Sequence, residues 1–131
     1  MILHHLGIAC SDIRETLEQL QAMFPVTGCS EIVHDPEQDA ELCLVSIRDS
    51  LPLELIAGPV VSNLVRKGIM LYHACWEAEQ IEEVIDRMRR VNGCMVVSEP
   101  KPAVLFGRRR VAFLNTPVGL VEILVTKSPN L

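Results

Sequence analysis

The chain repeats itself, and this constrains its fold more than any local propensity does. His5 and His73 stand 68 residues apart, and Glu54 and Glu122 stand 68 apart as well. Ile13 with Ile81 and Glu15 with Glu83 share that offset, while Gly28-Cys29 and Gly93-Cys94 recur at 65. A small insertion and its compensation therefore lie between them. Self-similarity at a fixed spacing means that one supersecondary unit is built twice. At about 150 residues per domain, 131 residues make one domain. The repeat divides residues 1–131 into two modules, about 1–58 and 68–127.

Each copy spells the same order of elements. Residues 2–9 mix apolar side chains with two histidines and read as a strand. Ser11 or Asp12 is placed to cap a helix. Ile13, Leu17, Leu20 and Met23 follow at helical spacing, with Arg14, Glu15 and Glu18 on the other side. Pro25 and Gly28 end that helix. Residues 29–33, 42–47 and 51–57 read as strands, joined by the polar stretch 34–39 and the turn Arg48-Asp49-Ser50. Gly58-Pro59 breaks the chain, and residues 60–67 form a short helical or irregular link. The order then restarts: a strand at 69–78, a helix marked by Ile81, Val84, Ile85 and Met88, and strands at 94–98, 110–115 and 119–126. Residues 127–131 read as a frayed tail.

Composition removes several classes of function. Apolar residues make up 49% and charged residues 22%, so the chain can bury a core. Twelve Lys and Arg against 17 Asp and Glu give a net charge of -5, which argues against nucleic acid and anionic membrane as partners. No apolar run reaches the roughly 18 residues of a membrane helix. Residues 1–9 have neither the basic start nor the small-residue cleavage site of a signal peptide. Cys10, Cys29, Cys43, Cys75 and Cys94 are odd in number and contain no CxxC pair, which disfavours a disulfide framework or a cysteine zinc site. Buried thiols in a reducing cytoplasm are the expectation.

Two carboxylates stand out. Glu122 lies in the apolar run Gly119-Leu-Val-Glu-Ile-Leu-Val125, and Glu54 lies in Leu51-Pro-Leu-Glu-Leu-Ile56. Such runs are buried on both faces. Burying an ionised carboxylate without a partner costs at least several kcal/mol, and neither run holds a Lys or Arg. Either each Glu is neutral, or a positive partner is present. One divalent ion with two neutral imidazoles, His5 and His73, would compensate both carboxylates. Two nitrogens and two oxygens suit Zn, Ni, Co, Fe or Mn, with further positions left for water or substrate.

These residues also carry a family resemblance. His5-Leu-Gly-Ile-Ala9 followed by Asp12-Ile13, then Leu53-Glu-Leu55, Tyr72-His-Ala74, Arg110-Val-Ala-Phe-Leu114 and Gly119-Leu-Val-Glu122 resemble the vicinal oxygen chelate superfamily (glyoxalase, bleomycin resistance and dioxygenase proteins). The closest branches are methylmalonyl-CoA epimerase and glyoxalase (lactoylglutathione lyase). The resemblance implies an α+β fold in which two βαβββ modules form an eight-stranded, cup-shaped mixed sheet. It implies metal ligands at His5, Glu54, His73 and Glu122, and one divalent transition metal as cofactor. It implies a lyase or isomerase that removes a proton beside a metal-bound carbonyl of a small thioester or hemithioacetal. Glu122 would then be the base, and Glu54 a ligand or a second base. A homodimer is expected, because relatives dimerise.

Two departures are visible. Glu37 in His34-Asp-Pro-Glu-Gln-Asp39 only weakly matches the acidic turn residue of epimerases, and reads as a solvated turn residue. Gly58-Pro-Val-Val-Ser-Asn63 differs from the Asp-Ser-Pro-like stretch of epimerases, and the glyoxalase Asn-Trp-Gly segment is missing. His4 points away from His5 across the strand, and His34 reads as solvated. Arg108, Arg109 and Arg110 could hold a coenzyme A phosphate or a glutathione carboxylate, or form a solvated hairpin. Cys75 and Trp76 read as core or cup lining. No GxGxxG, P-loop, GxSxG or HExxH pattern is present. Two other readings fit the same scaffold: a drug-sequestering binder without metal, and an Fe(II) oxygenase with two His and one carboxylate.

Overall fold

The computed structural model describes residues 1–127; the expected frayed tail from residue 128 on lies outside them. They form nine strands and three α-helices: β1 (Ile2–Ala9), α1 (Ile13–Met23), β2 (Val26–Cys29), β3 (Val33–Asp35), β4 (Ala40–Ile47), β5 (Leu53–Ala57), α2 (Ser62–Arg66), β6 (Leu71–Ala78), α3 (Ile81–Arg89), β7 (Met95–Pro102), β8 (Arg110–Thr116) and β9 (Gly119–Val125). The fold is α+β: the second copy runs βαβββ, and the first has the same order with the short β3 added. The chain divides into two compact units. One is His5–Tyr72; the other is Met1–His4 with the chain from His73 onward.

In the unit His5–Tyr72 the strand order is β2-β4-β5-β1, with β3 paired to β4. β1 and β5 run parallel, with Leu6 opposite Leu53 and Gly7 opposite Glu54. α1 starts where Asp12 Oδ1 accepts a 2.9 Å hydrogen bond from the Glu15 amide, satisfying one orphan donor of the first turn. Its apolar stripe covers one sheet face. Ile13 and Leu20 pack there with Cys10, Cys43, Val45 and Leu55.

The unit from His73 onward repeats the plan as β6-β9-β8-β7. β6 and β9 are parallel, with Ala74 opposite Val121 and Cys75 opposite Glu122. Both pairs equal those of β1 and β5 plus 68, so the sequence repeat is a repeat of strand register. α3 packs Ile81, Val84 and Ile85 against Ala112, Leu114, Val121 and Ile123. Gln80, which precedes α3, makes no side-chain capping bond.

The largest departures from the sequence reading fall at three places, while other strand ends move by one or two residues. β2 opens at Val26, directly after Pro25, and Gly28 sits inside it at a register shift. A strand accepts a glycine at a bulge, so Gly28 did not mark the turn. The run 29–33 is split by Ser30, whose hydroxyl replaces a ladder acceptor for the Leu44 amide at 2.9 Å; β3 follows as a ninth, three-residue strand. β7 continues past Ser98 through Pro100 to Pro102, with two register shifts against β8. It is the last strand in its order, where proline is tolerated. No helix among the described residues is long and apolar enough to cross a membrane.

Candidate metal centre

His5 and Glu54 meet because β1 and β5 are parallel neighbours. Leu53 and Leu55 pack toward α1, so strand alternation turns Glu54 to the opposite face. Gly7 is opposite Glu54, and His5 lies one pleat before Gly7 on the same face. His5 Nε2 stands 3.4 Å from Glu54 Oε1. His5 is 0% exposed and Glu54 4%.

The second pair follows the same construction. Val121 and Ile123 face α3, which sends Glu122 to the other face. Cys75 is opposite Glu122, and His73 precedes it by one pleat. His73 Nε2 lies 3.2 Å from Glu122 Oε1, with both side chains buried. Phe113, opposite Glu122 on β8, forms a T-shaped ring pair with His73, centroids 5.4 Å apart.

The distances bear on the chemistry. A 3.4 Å separation is beyond the usual N–H···O range and 3.2 Å is at its upper end. Two donors that share a transition metal at bonds of about 2.1 Å, with angles between octahedral and tetrahedral, stand about 3.0–3.4 Å apart. Each pair meets that spacing. The donor set, one imidazole nitrogen and one carboxylate oxygen per pair, is of the borderline type that first-row divalent ions take.

The other candidates fall elsewhere. Glu37 is exposed in the turn between β3 and β4, where its amide donates to Asp35 Oδ1 at 3.0 Å. His34 is exposed on β3, and so belongs to a strand rather than the turn. His4 is half-buried and stacks edge-on with Phe106 at 5.6 Å. Trp76 packs against the α3 core, and Cys75 is buried. The arginines separate by role. Arg109 Nη1 donates to Glu77 Oε2 and to the Val125 carbonyl, each at 3.2 Å. Arg110 pairs with Glu82, and Arg108 is exposed with φ +66°. Two of the three guanidinium groups therefore bind the protein itself.

Sequence reasoning passed over two residues. Phe113 had a signal: it is the aromatic of the apolar run 111–114 in β8, but only strand register brings it to His73. Asp35 had little signal. It is buried because its carboxylate accepts from the Glu37 amide and from Gln38 Nε2 at 2.9 Å, which fixes the turn into β4.

The model of the glyoxalase/bleomycin resistance protein/dioxygenase superfamily matches residues 4–113. The chain belongs to that superfamily. A comparison with curated proteins gave no match. Among solved structures, this superfamily member is similar to a hypothetical protein from Bacillus halodurans C-125, at 25% identity and a TM-score of 0.73, covering 96% of this chain and 94% of that one. It is also similar to methylmalonyl-CoA epimerase from Mycobacterium tuberculosis, at 18% identity and a TM-score of 0.78, covering 96% and 88%. A Streptomyces coelicolor methylmalonyl-CoA epimerase, solved with 2-nitronate-propionyl-CoA, is 21% identical with a TM-score of 0.74, covering 98% and 99%. At these identities the two epimerases report a shared fold.

Proposed function

We propose that this chain is a metal-dependent isomerase or lyase that moves a proton on the carbon next to a carbonyl of a small thioester or hemithioacetal. The observation that carries the reading is the buried His–Glu pair built twice in the same register, at 3.4 and 3.2 Å. A binder of apolar molecules gains nothing from burying two carboxylates, which costs several kcal/mol each when unpaired. In this reading the two modules act as one domain, and His5, Glu54, His73 and Glu122 hold one divalent ion (Ni, Co, Zn, Mn or Fe). Each of the four offers an atom of metal-ligating type. Two carboxylates and one divalent ion sum to zero charge, so the site can be buried.

When bound, the ion supplies Lewis-acid polarisation of the substrate carbonyl and stabilises the charge that develops on it. The protein supplies the proton chemistry. Glu122 directs Oε1 toward His73, and its other oxygen, Oε2, takes the proton from carbon and returns it. Glu54 serves as the second carboxylate: a ligand only in a lyase, and the base for the opposite face where a stereocentre inverts. Phe113 and the apolar residues beside Glu122 keep bulk water from the carbanion. The coenzyme A ligands of the epimerase neighbours support a thioester as substrate. We propose a cytoplasmic homodimer as the active form: five cysteines without a CxxC pair suit a reducing compartment, and the dimer follows the family resemblance.

The test is metal content on protein purified without tag or chelator, followed by incubation of methylmalonyl-CoA and of a glutathione hemithioacetal in D2O. The expected result is about one transition-metal ion per chain and deuterium on the carbon next to the carbonyl of one substrate, lost in Glu122→Gln. Protein that takes up none of Ni, Co, Zn, Mn or Fe would defeat the reading.

A further inference from the structure

Three thiols of the unit His5–Tyr72 run from its core to its surface. Cys10 and Cys43 are buried and Cys29 is exposed. β2 and β4 are antiparallel with Cys29 opposite Val45. Cys43, two residues before Val45, is therefore a diagonal neighbour of Cys29 on the same sheet face. At this place the ladder is interrupted. The Ser30 hydroxyl accepts from the Leu44 amide, and the Cys43 thiol donates to the Ser30 carbonyl at 3.4 Å. The Cys43 sulfur thus lies against the backbone next to Cys29, near enough for the Cys29 thiol to raise the Cys43 thiol further.

We propose that Cys29 and Cys43 form a reversible disulfide when the protein meets a hydroperoxide. The exposed Cys29 sulfur attacks hydrogen peroxide. A sulfur–oxygen bond forms, the oxygen–oxygen bond breaks, and water leaves with the thiol proton. The Cys43 sulfur then attacks the Cys29 sulfenic acid. The sulfur–sulfur bond forms, the sulfur–oxygen bond breaks, and hydroxide leaves as water with the Cys43 proton. Two thiols are oxidised by two electrons, and one peroxide is reduced to two waters. Burial raises the Cys43 thiol above the ordinary cysteine range, so closure accelerates as pH rises and its thiolate fraction grows. The crosslink joins the terminal strand β2 to β4, whose next residue, Leu44, stands opposite Glu54.

The repeat supplies an internal control. Cys94 matches Cys29, but Ala112 occupies the place matched to Cys43: Leu44 faces Glu54 as Phe113 faces Glu122. Cys94 has no partner thiol at that position.

The experiment treats the reduced chain with hydrogen peroxide, blocks remaining thiols with N-ethylmaleimide, and maps peptides by mass without reduction. A parallel sample carries dimedone, which traps sulfenic acids. The expected product is a Cys29–Cys43 crosslinked peptide pair, lighter by two hydrogens and reopened by dithiothreitol, with Cys94 outside any disulfide. Cys43→Ser is expected to accumulate the dimedone adduct on Cys29. Cys29→Ser, a surface change that leaves the core intact, is expected to lose the crosslink. Dimedone labelling of Cys29 as strong in the unmodified chain as in Cys43→Ser would overturn the proposal. So would a Cys10–Cys43 bond, or Cys29 linking two copies.

Discussion

Phe113 and the imidazole of His73 meet edge to face, with centroids 5.4 Å apart and planes at 82°. The matched place in the other module is held by Leu44, opposite Glu54. The two His–Glu pairs therefore share a register, while the residue opposite the glutamate is Phe113 in one and Leu44 in the other.

Phe113→Leu copies the environment of one pair onto the other. Edge-to-face contacts are worth about 0.5–1.5 kcal/mol beyond burial. The variant is expected to fold and to bind metal about 2- to 10-fold more weakly, measured by competition with a chelating dye. Unchanged affinity would show that the ring only fills space.

His5→Ala and His73→Ala each remove one nitrogen donor from matched positions. Comparable losses of metal affinity are expected from both. A variant pair in which one abolishes binding and the other leaves it untouched would argue that the two modules do not share an ion. On a confirmed substrate, Glu122→Gln is expected to lower the rate by about 10²–10⁴-fold.

Gly58 has φ +129°, and a Cβ there would stand 2.7 Å from the Asp39 carbonyl oxygen. Backbone on both sides leaves no flexible group to yield. Gly58→Ala is expected to cost about 2–3 kcal/mol, read as a lower denaturant midpoint with an unchanged slope.

The two helices begin differently. Asp12 caps α1, whereas Gln80 makes no capping bond to α3. Asp12→Ala is expected to cost about 1 kcal/mol, and Gln80→Ser to gain about 0.5–1 kcal/mol. Thermal melts of the two variants should move in opposite directions.

Arg110 hydrogen-bonds Glu82 and holds its carboxyl below the usual carboxylate range, while the guanidinium is raised in turn. A folded-state pKa below the unfolded one contributes stability above the unfolded value, near 4.3, and loses it as pH falls through the folded one. Both groups are fully exposed, so the effect is small and screened. The melting temperatures of the parent and Arg110→Gln are expected to differ at neutral pH and to converge as the pH falls through the lowered Glu82 value. A difference that persists in acid would assign it to packing of the arginine stem.

Much of the candidate centre was legible because its signals are one-dimensional. Glu54 and Glu122 interrupt apolar runs, and their offset of 68 from each other equals that of His5 from His73. Strand and helix periods in α1, α3, β5 and β9 could be read the same way, since each depends on neighbours within a few residues. The boundaries of β2 and β7 could not. Gly28 and Pro100 carry turn chemistry in isolation, and sit in strands because neighbouring strands and an edge position accept them.

By itself, then, the sequence determined that one βαβββ unit is built twice and which four side chains are costly to bury. Offset and periodicity are properties of the chain alone. The tertiary structure decided which residues meet: Phe113 with His73, Arg109 with Glu77, Cys43 with the backbone beside Cys29. Each contact joins segments far apart in sequence and depends on strand register. A slip of one residue would send every side chain of the strand to the opposite face, so pairing, not local preference, selects these partners.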